Sequence, residues 1–291
     1  MSSPLERVRR AVGRTLRSRV AGEDADAKAH LIWQVDGERW HSPDDVIWHV
    51  NGDAAMYAGG IRALLLQALH PAAMAGVAGH SGYRSDPWGR LQRTSEFIAM
   101  TTYGPIPSAL ALIERVRTVH DRVRGKTDDG TPYRASDPHL LAWVHIAETE
   151  SFLTSFQHFG DRRLTPEEAD RYVEEAAPVG ELLGARTLPL TESDLRSALE
   201  AYRPELRASP AALDTVEFLL RRPPIPWLAR PGYWMLAAGA IATLPTWART
   251  ELRLPTSRFF DRVVGIPLGR LATAVVRWSL EPESRKGRWA R

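Results

Sequence analysis

The chain contains no cysteine. That absence removes disulfides, thiolate nucleophiles, cysteine-ligated zinc, iron–sulfur clusters, thiolate-ligated haem and covalently attached c-type haem. Any metal must rest on His, Asp, Glu or Tyr. The missing thiols also accord with a reducing compartment, so the cytoplasm is the expected location.

Long apolar runs are missing too. The N-terminal "MSSPLERVRRAVGRTLRSRV" has basic residues throughout where a signal peptide needs an unbroken apolar stretch. It reads as a basic amphipathic helix on the surface, with peripheral membrane contact as the alternative. The run "YWMLAAGAIATL" is interrupted by Pro245 before it can span a bilayer, so a buried helix is expected there, with interfacial contact as the alternative. Neither a P-loop nor G-x-G-x-x-G occurs, which leaves nucleotide chemistry without support. No H-E-x-x-H or comparably compact ligand set points to zinc or non-haem iron. The net charge is only +3, without a lysine-rich tail or an aromatic RNA-binding signature, so nucleic acid is not an expected partner.

What is present is the balance of a globular protein, 44% hydrophobic and 25% charged over 291 residues, enough chain to bury a substantial core. Asp86-Pro87, Asp137-Pro138, Thr165-Pro166 and Ser209-Pro210 each set a capping side chain before a proline, whose fixed φ and missing N–H suit a first helical turn. With the 3.6-residue periodicity that follows, these starts predict an all-α fold, with helices near 4–19, 52–69, 71–79, 87–103, 108–124, 138–158, 166–183, 192–202 and 210–221, and short ones after 232. A short hairpin turning at Asp36-Gly37 is the one strand expectation. The proline-rich "RRPPIPWLARPG" at 221–232 marks the one boundary, so a single domain with a C-terminal helical extension over about 222–291 is expected.

Candidate chemistry gathers between residues 70 and 150. On a wheel of about 100° per residue, Arg90, Arg93, Thr94, Phe97 and Thr101 share one side of the 87–103 helix. Two guanidiniums, a hydroxyl and an aromatic ring suit an anionic or polar ligand, although surface salt bridges account for arginines equally well. In "SALALIERVRTVHDRVRG" His120 projects from the apolar face of Ala109, Leu112, Ile113 and Val116. In "DPHLLAWVHIAETESFLTSF" His145 lies with Leu141, Thr149, Phe152 and Phe156. Each histidine alone reads equally as a hydrogen-bonded core residue. His70 and His80 add imidazoles nearby, as a helix-end cap and a loop hydrogen bond in their plainer readings. The segment "AAMAGVAG" at 72–79 allows another helix, or a flat cofactor, to approach the backbone. Inward histidines, an arginine stripe, a flat landing surface and no cysteine together meet the needs of a non-covalent haem b pocket.

The stretches "GGIRALLLQALHPAAMAGVAGHSGYRSDPWGRLQRT", "VRTVHDRVRG", "YRASDPHLLAWVH" and "PEEADRYVEE" resemble the oxygenase family of bacterial latex-clearing rubber oxygenases and fungal MpaB-type oxygenases, over roughly residues 45–260. The resemblance implies a globin-like helical core holding haem b and oxidative insertion of O2 into an isoprenoid double bond. It makes residues 1–44 a lead-in and 45–291 the catalytic domain. The Arg-x-x-Lys-Thr motif of the rubber enzymes falls on Arg90, Arg93 and Thr94. The haem-ligating histidine falls on His120, with His145 as the rival ligand. Arg93 replaces a lysine and cannot lose its proton at usable pH, so it is a poor iron ligand. The acid those enzymes use as a base has no counterpart in 70–80. The expected function is a haem b-dependent oxygenase acting on a hydrophobic small molecule: His120 on the metal, Arg90 also toward the cofactor, Arg90 and Arg93 orienting oxygen, a carbonyl or a propionate, and Thr94 donating a hydrogen bond. A non-catalytic helical protein that binds haem or lipid is the competing expectation.

Overall fold

The computed structural model describes residues 4–22, 24–80, 82 and 85–287. It is all-α apart from one short hairpin. In chain order the elements are α1 (Pro4–Ala21), α2 (Ala25–Trp33), α3 (Val46–Gly52), α4 (Ala55–Gln67), α5 (Pro71–His80), α6 (Pro87–Tyr103), α7 (Ile106–Arg122), β1 (Arg124–Lys126), β2 (Pro132–Arg134), α8 (Pro138–Phe159), α9 (Pro166–Leu183), α10 (Glu192–Ala201), α11 (Pro210–Arg221), α12 (Arg230–Thr243), α13 (Thr246–Glu251), α14 (Arg258–Phe260) and α15 (Ile266–Gly287), with a π turn over Asp261–Gly265 joining the last two.

All four proline starts are real helix N-termini. Asp86 accepts from the Gly89 amide, Asp137 from those of His139 and Leu140, and Ser209 from that of Ala212. Thr165 and Glu168 close a reciprocal capping box. These caps satisfy amides with no partner inside the helix and fix where each helix begins.

The centre is the pair α4 and α8. Gly59 is what lets them meet: a Cβ there would stand 2.9 Å from Phe152 Cδ1. Inside this contact lies Arg62, 1% exposed. Its guanidinium is paired with Glu150 and also donates to Ser151 Oγ at 2.8 Å and the Thr243 carbonyl. A buried cation is tolerated only when every donor finds such a partner. On the far side α12 and α15 cross at Gly239 and Gly269, where a Cβ on either would lie within 2.8 Å of the other's Cα. Leu236, Ala240, Ala272 and Val276 from these helices join the main core, so much of the segment read as a C-terminal extension packs into it. Residues 1–3 and 288–291, the ends of the two expected chain segments, lie outside the described residues.

The hairpin is not where Asp36-Gly37 suggested. Residues 25–33 form α2, and the next carbonyls find a side chain instead of a partner strand: Arg39 donates to the carbonyls of Ile32, Val35, Gly37 and Tyr103. Trp33, Trp48 and Tyr103 cluster beside this turn, Trp48 edge-on to both of the other rings, with ring centroids 4.8–6.1 Å apart. The antiparallel pair is β1–β2, with Arg124 opposite Arg134. Its turn uses another Asp-Gly step, Asp129-Gly130, where Gly130 has φ +87° and Asp129 accepts from the Thr131 amide and the Thr127 hydroxyl.

The small-residue helix α5 packs against α11 and this hairpin, with Gly76 facing the Tyr133 ring. His70 lies at its start, where Nδ1 accepts from the Ala72 amide, as the helix-end reading requires. His80 is exposed at its end.

Candidate active site

Five helices, α3, α6, α7, α8 and α9, line a partly open cavity of about 120 Å³. Phe97 and Ile98 from α6, with Leu141, Val144 and Phe152 from α8, make its walls largely apolar. Polar groups enter singly: Asn51, Thr101, Thr102, His120, His145, Glu148, Thr149 and Tyr172. A few placed polar groups on an apolar wall are the usual make-up of a small-molecule site.

His120 and His145 therefore line one cavity from two different helices. Burial lowers the pKa of both, for His145 to about 4, and Asp121 only partly offsets the effect at His120. Both rings are neutral at pH 7 and keep a lone pair. His120 Nδ1 is buried with no hydrogen-bond partner, as is Asn51 Oδ1, while Asn51 Nδ2 donates to Thr102 Oγ1 at 2.8 Å. Buried polar atoms left open in this way call for a ligand or ordered water. A second cavity of about 180 Å³ also reaches His120, between Arg117, Asp121 and Ser136. The imidazole thus stands at the junction of two spaces.

His145 is held by its surroundings. Thr149 Oγ1 lies 3.4 Å from its Nε2, a long contact one turn along α8. Gly180 on α9 faces its ring: a Cβ there would sit 2.8 Å from His145 Nδ1 and 2.6 Å from Leu188 Cδ1. Only a residue without a side chain lets α9 come so near.

Glu148 did not emerge from the sequence. It is the only acid among the described residues lining the cavity, and burial pushes its pKa from the usual 4.5 to about 7. The phenol of Tyr172, on the same cavity, is held well above its ordinary value by burial first and then by the charge of Glu148. The available signal was the spacing in "HIAE". Position i+3 from an inward histidine lies only about 60° around the helix from it, inside the same face.

The arginine stripe continues from the cavity toward solvent. Phe97 and Thr101 line the cavity; Thr94, Arg93 and Arg90 lie one to two turns nearer the N-terminus of α6 and do not line it. Thr94 and Arg93 are exposed, and Arg93 Nη1 donates to Asp86, the cap of its own helix, at 3.3 Å. Arg90 is half-buried. Among the described residues no cluster of three or more His, Cys, Asp or Glu side chains has the geometry to hold a metal ion by itself. A single imidazole offered to an already coordinated metal is a different arrangement and needs no such cluster.

Two imidazoles kept neutral by burial on one apolar cavity give this helical protein a candidate small-molecule site. The family model described as "ER-bound oxygenase mpaB/B'/Rubber oxygenase, catalytic domain" matches residues 48–278, and the chain belongs to that family. Its membership points to an oxygenase-type function. No curated protein and no solved structure shows significant similarity to the chain.

Proposed function

We propose that this chain is a haem b-dependent oxygenase that uses O2 on a hydrophobic small molecule, with His120 as the residue that holds the iron and His145 as its rival. One observation carries the reading: two imidazoles, both kept neutral by burial, face one apolar cavity, and one has an unpartnered ring nitrogen. Haem ligation asks for that chemistry, a neutral imidazole with a lone pair and walls that exclude water, so the residues present fit the group. When bound, haem supplies the redox chemistry that activates dioxygen.

The chain's own residues do the remaining work. Phe97, Ile98, Leu141, Val144 and Phe152 bind an apolar substrate and exclude water from around it. Glu148 holds a proton on its carboxyl near neutral pH, within the space a substrate would occupy, and the phenol of Tyr172 stays protonated. Arg90 and Arg93, with Thr94, stand on the solvent side of the α6 stripe, where guanidinium and hydroxyl donors orient propionates or a substrate carbonyl at the entrance.

Visible absorption of the purified protein tests this directly. The wild type should carry a Soret band that His120→Ala abolishes and His145→Ala retains. The reverse pattern makes His145 the ligand. A colourless wild-type protein after expression with iron and haem precursor overturns the proposal.

A further inference from the structure

The outer face of the C-terminal helices carries an apolar stripe that nothing among the described residues covers. Phe259 is 77% exposed, Phe260 52%, Val263 55%, Leu271 55% and Val275 46%. Along the π turn and α15 the buried positions Gly265, Gly269, Ala272, Val276 and Ser279 form the inner face, and Val263 on the π turn with Leu271 and Val275 on α15 stand on the outer side. From Phe260 to Val275 the stripe runs about 22 Å at roughly 1.5 Å per residue. A further exposed pair, Trp227 and Leu228, both 73% exposed, precedes α12, whose own Trp234 is 45% exposed. The four exposed Trp and Phe side chains among the described residues all lie between 227 and 260.

Charge identifies the occupant. Residues 221–287, to the end of α15, contain ten arginines, one lysine and four acids. One of those acids, Asp261, is buried and bound by Arg249 through both carboxylate oxygens, and two others, Glu281 and Glu283, lie in the last two turns of α15, beyond the stripe. Between residues 258 and 280 of the stripe's own elements the exposed charges are Arg258, Arg262 and Arg270, with no exposed acid among the described side chains there. Helix α1 packs against α15, its Gly13 directly beneath the Ser279 carbonyl, and turns Arg7, Arg10 and Arg14 to solvent. Two copies of this face brought together would set arginine against arginine. An anionic bilayer offers acyl chains to the phenylalanines and phosphates to the guanidiniums at the same depth. No single helix among the described residues is long and apolar enough to cross a membrane, so this geometry suits lying on one.

We propose that α14–α15, flanked by the basic face of α1, is a docking surface for anionic lipid bilayers, with Phe260, Val263 and Leu271 entering the interface. The proposal stands apart from the oxygenase reading and does not depend on haem.

The experiment is co-sedimentation of the full chain with vesicles of phosphatidylcholine alone and of phosphatidylcholine mixed with phosphatidylglycerol. Binding should require the anionic lipid and weaken with salt. Phe260→Asp/Leu271→Asp should lower partitioning at least tenfold, and Arg258→Glu/Arg262→Glu by a similar factor, since each arginine near an anionic surface contributes roughly fivefold. These side chains are exposed, and circular dichroism confirms that the variants fold. A wild type that stays in the supernatant with anionic vesicles overturns the proposal, as does binding that both double variants leave unchanged. A wild-type dimer that the Phe260/Leu271 variant dissociates also overturns it, by assigning the face to a second copy of the chain.

Discussion

Replacing Glu148 by glutamine should stabilise the protein, and by an amount that depends on pH in a defined direction. The carboxyl titrates near 7 in the folded chain against the usual 4.5. The native state therefore holds a proton that the unfolded chain gives up earlier. Below about pH 4.5 both states are protonated and Glu148 costs nothing. As pH rises through 7 the native state must either keep the proton or bury a charge, and stability is lost. At about 1.4 kcal/mol per pH unit the loss reaches about 3 kcal/mol above pH 8, an order-of-magnitude figure.

His145 works the other way. Its folded pKa is lowered to about 4 from 6.5, so its contribution is present above 6.5 and lost as pH falls toward 4. In the wild type the two slopes oppose each other between about 4.5 and 6.5, and the raw profile looks nearly flat there. The informative quantity is the difference between Glu148→Gln and wild type, from urea unfolding at a series of pH values with matched slopes. It should be near zero at pH 4 and rise to about 3 kcal/mol in favour of the variant by pH 8. A flat difference, or one that falls with pH, would mean that Glu148 is ionised and paired in the fold, and the account of the cavity as a dry, proton-holding space would be wrong.

Other substitutions probe other parts of the same reasoning. Gly180→Ala places a methyl against the His145 ring and Leu188; it should cost about 1–3 kcal/mol in thermal unfolding and shift the His145 imidazole resonances in NMR. Unchanged resonances would remove Gly180 from the site. Glu150→Ala leaves the Arg62 guanidinium buried without its carboxylate and should cost about 3–5 kcal/mol, far more than loss of the exposed Arg196–Glu192 pair, at roughly 0.5 kcal/mol. Thr165→Ala removes one half of the α9 capping box and should lower stability by about 1 kcal/mol without altering the cavity; a larger loss would show that α9 is held mainly from its first turn.

Much of the helical framework was legible because its signals are local. A capping side chain followed by proline fixes a helix start within a residue, and the 87–103, 166–183 and 210–221 helices begin and end where those signals and the periodicity place them. Helix α2 was not legible, because the Asp36-Gly37 turn signal outweighed the helix-forming "ADAKAHLIW" before it. What settled that region was Arg39 reaching four carbonyls, one of them 64 residues away, which no local pattern contains. The two cavity histidines could be read from wheels, since each sits on an apolar face. Glu148 could not be read in the same way. A carboxylate in a helix is ordinarily a solvent-side residue, and only α9 closing over it, with Tyr172 and Gly180, turns that position into an interior one. The stripe of α6 was drawn as one surface, yet its inner end lines the cavity and its outer end meets solvent, a division set by where neighbouring helices stop.

The π turn at Asp261–Gly265 has a consequence for how this end of the protein can change over time. A π turn accommodates an extra residue within a helical run, and here that residue sets the angle between Phe260 and Leu271 around the common axis. Exchanging one outward side chain for another leaves the angle alone. Deleting one residue would rotate one side of the run by about 100° relative to the other, carrying Phe260 off the stripe and pulling Asp261 away from Arg249. Related chains should therefore vary freely in which residues occupy 259–263 while conserving how many there are.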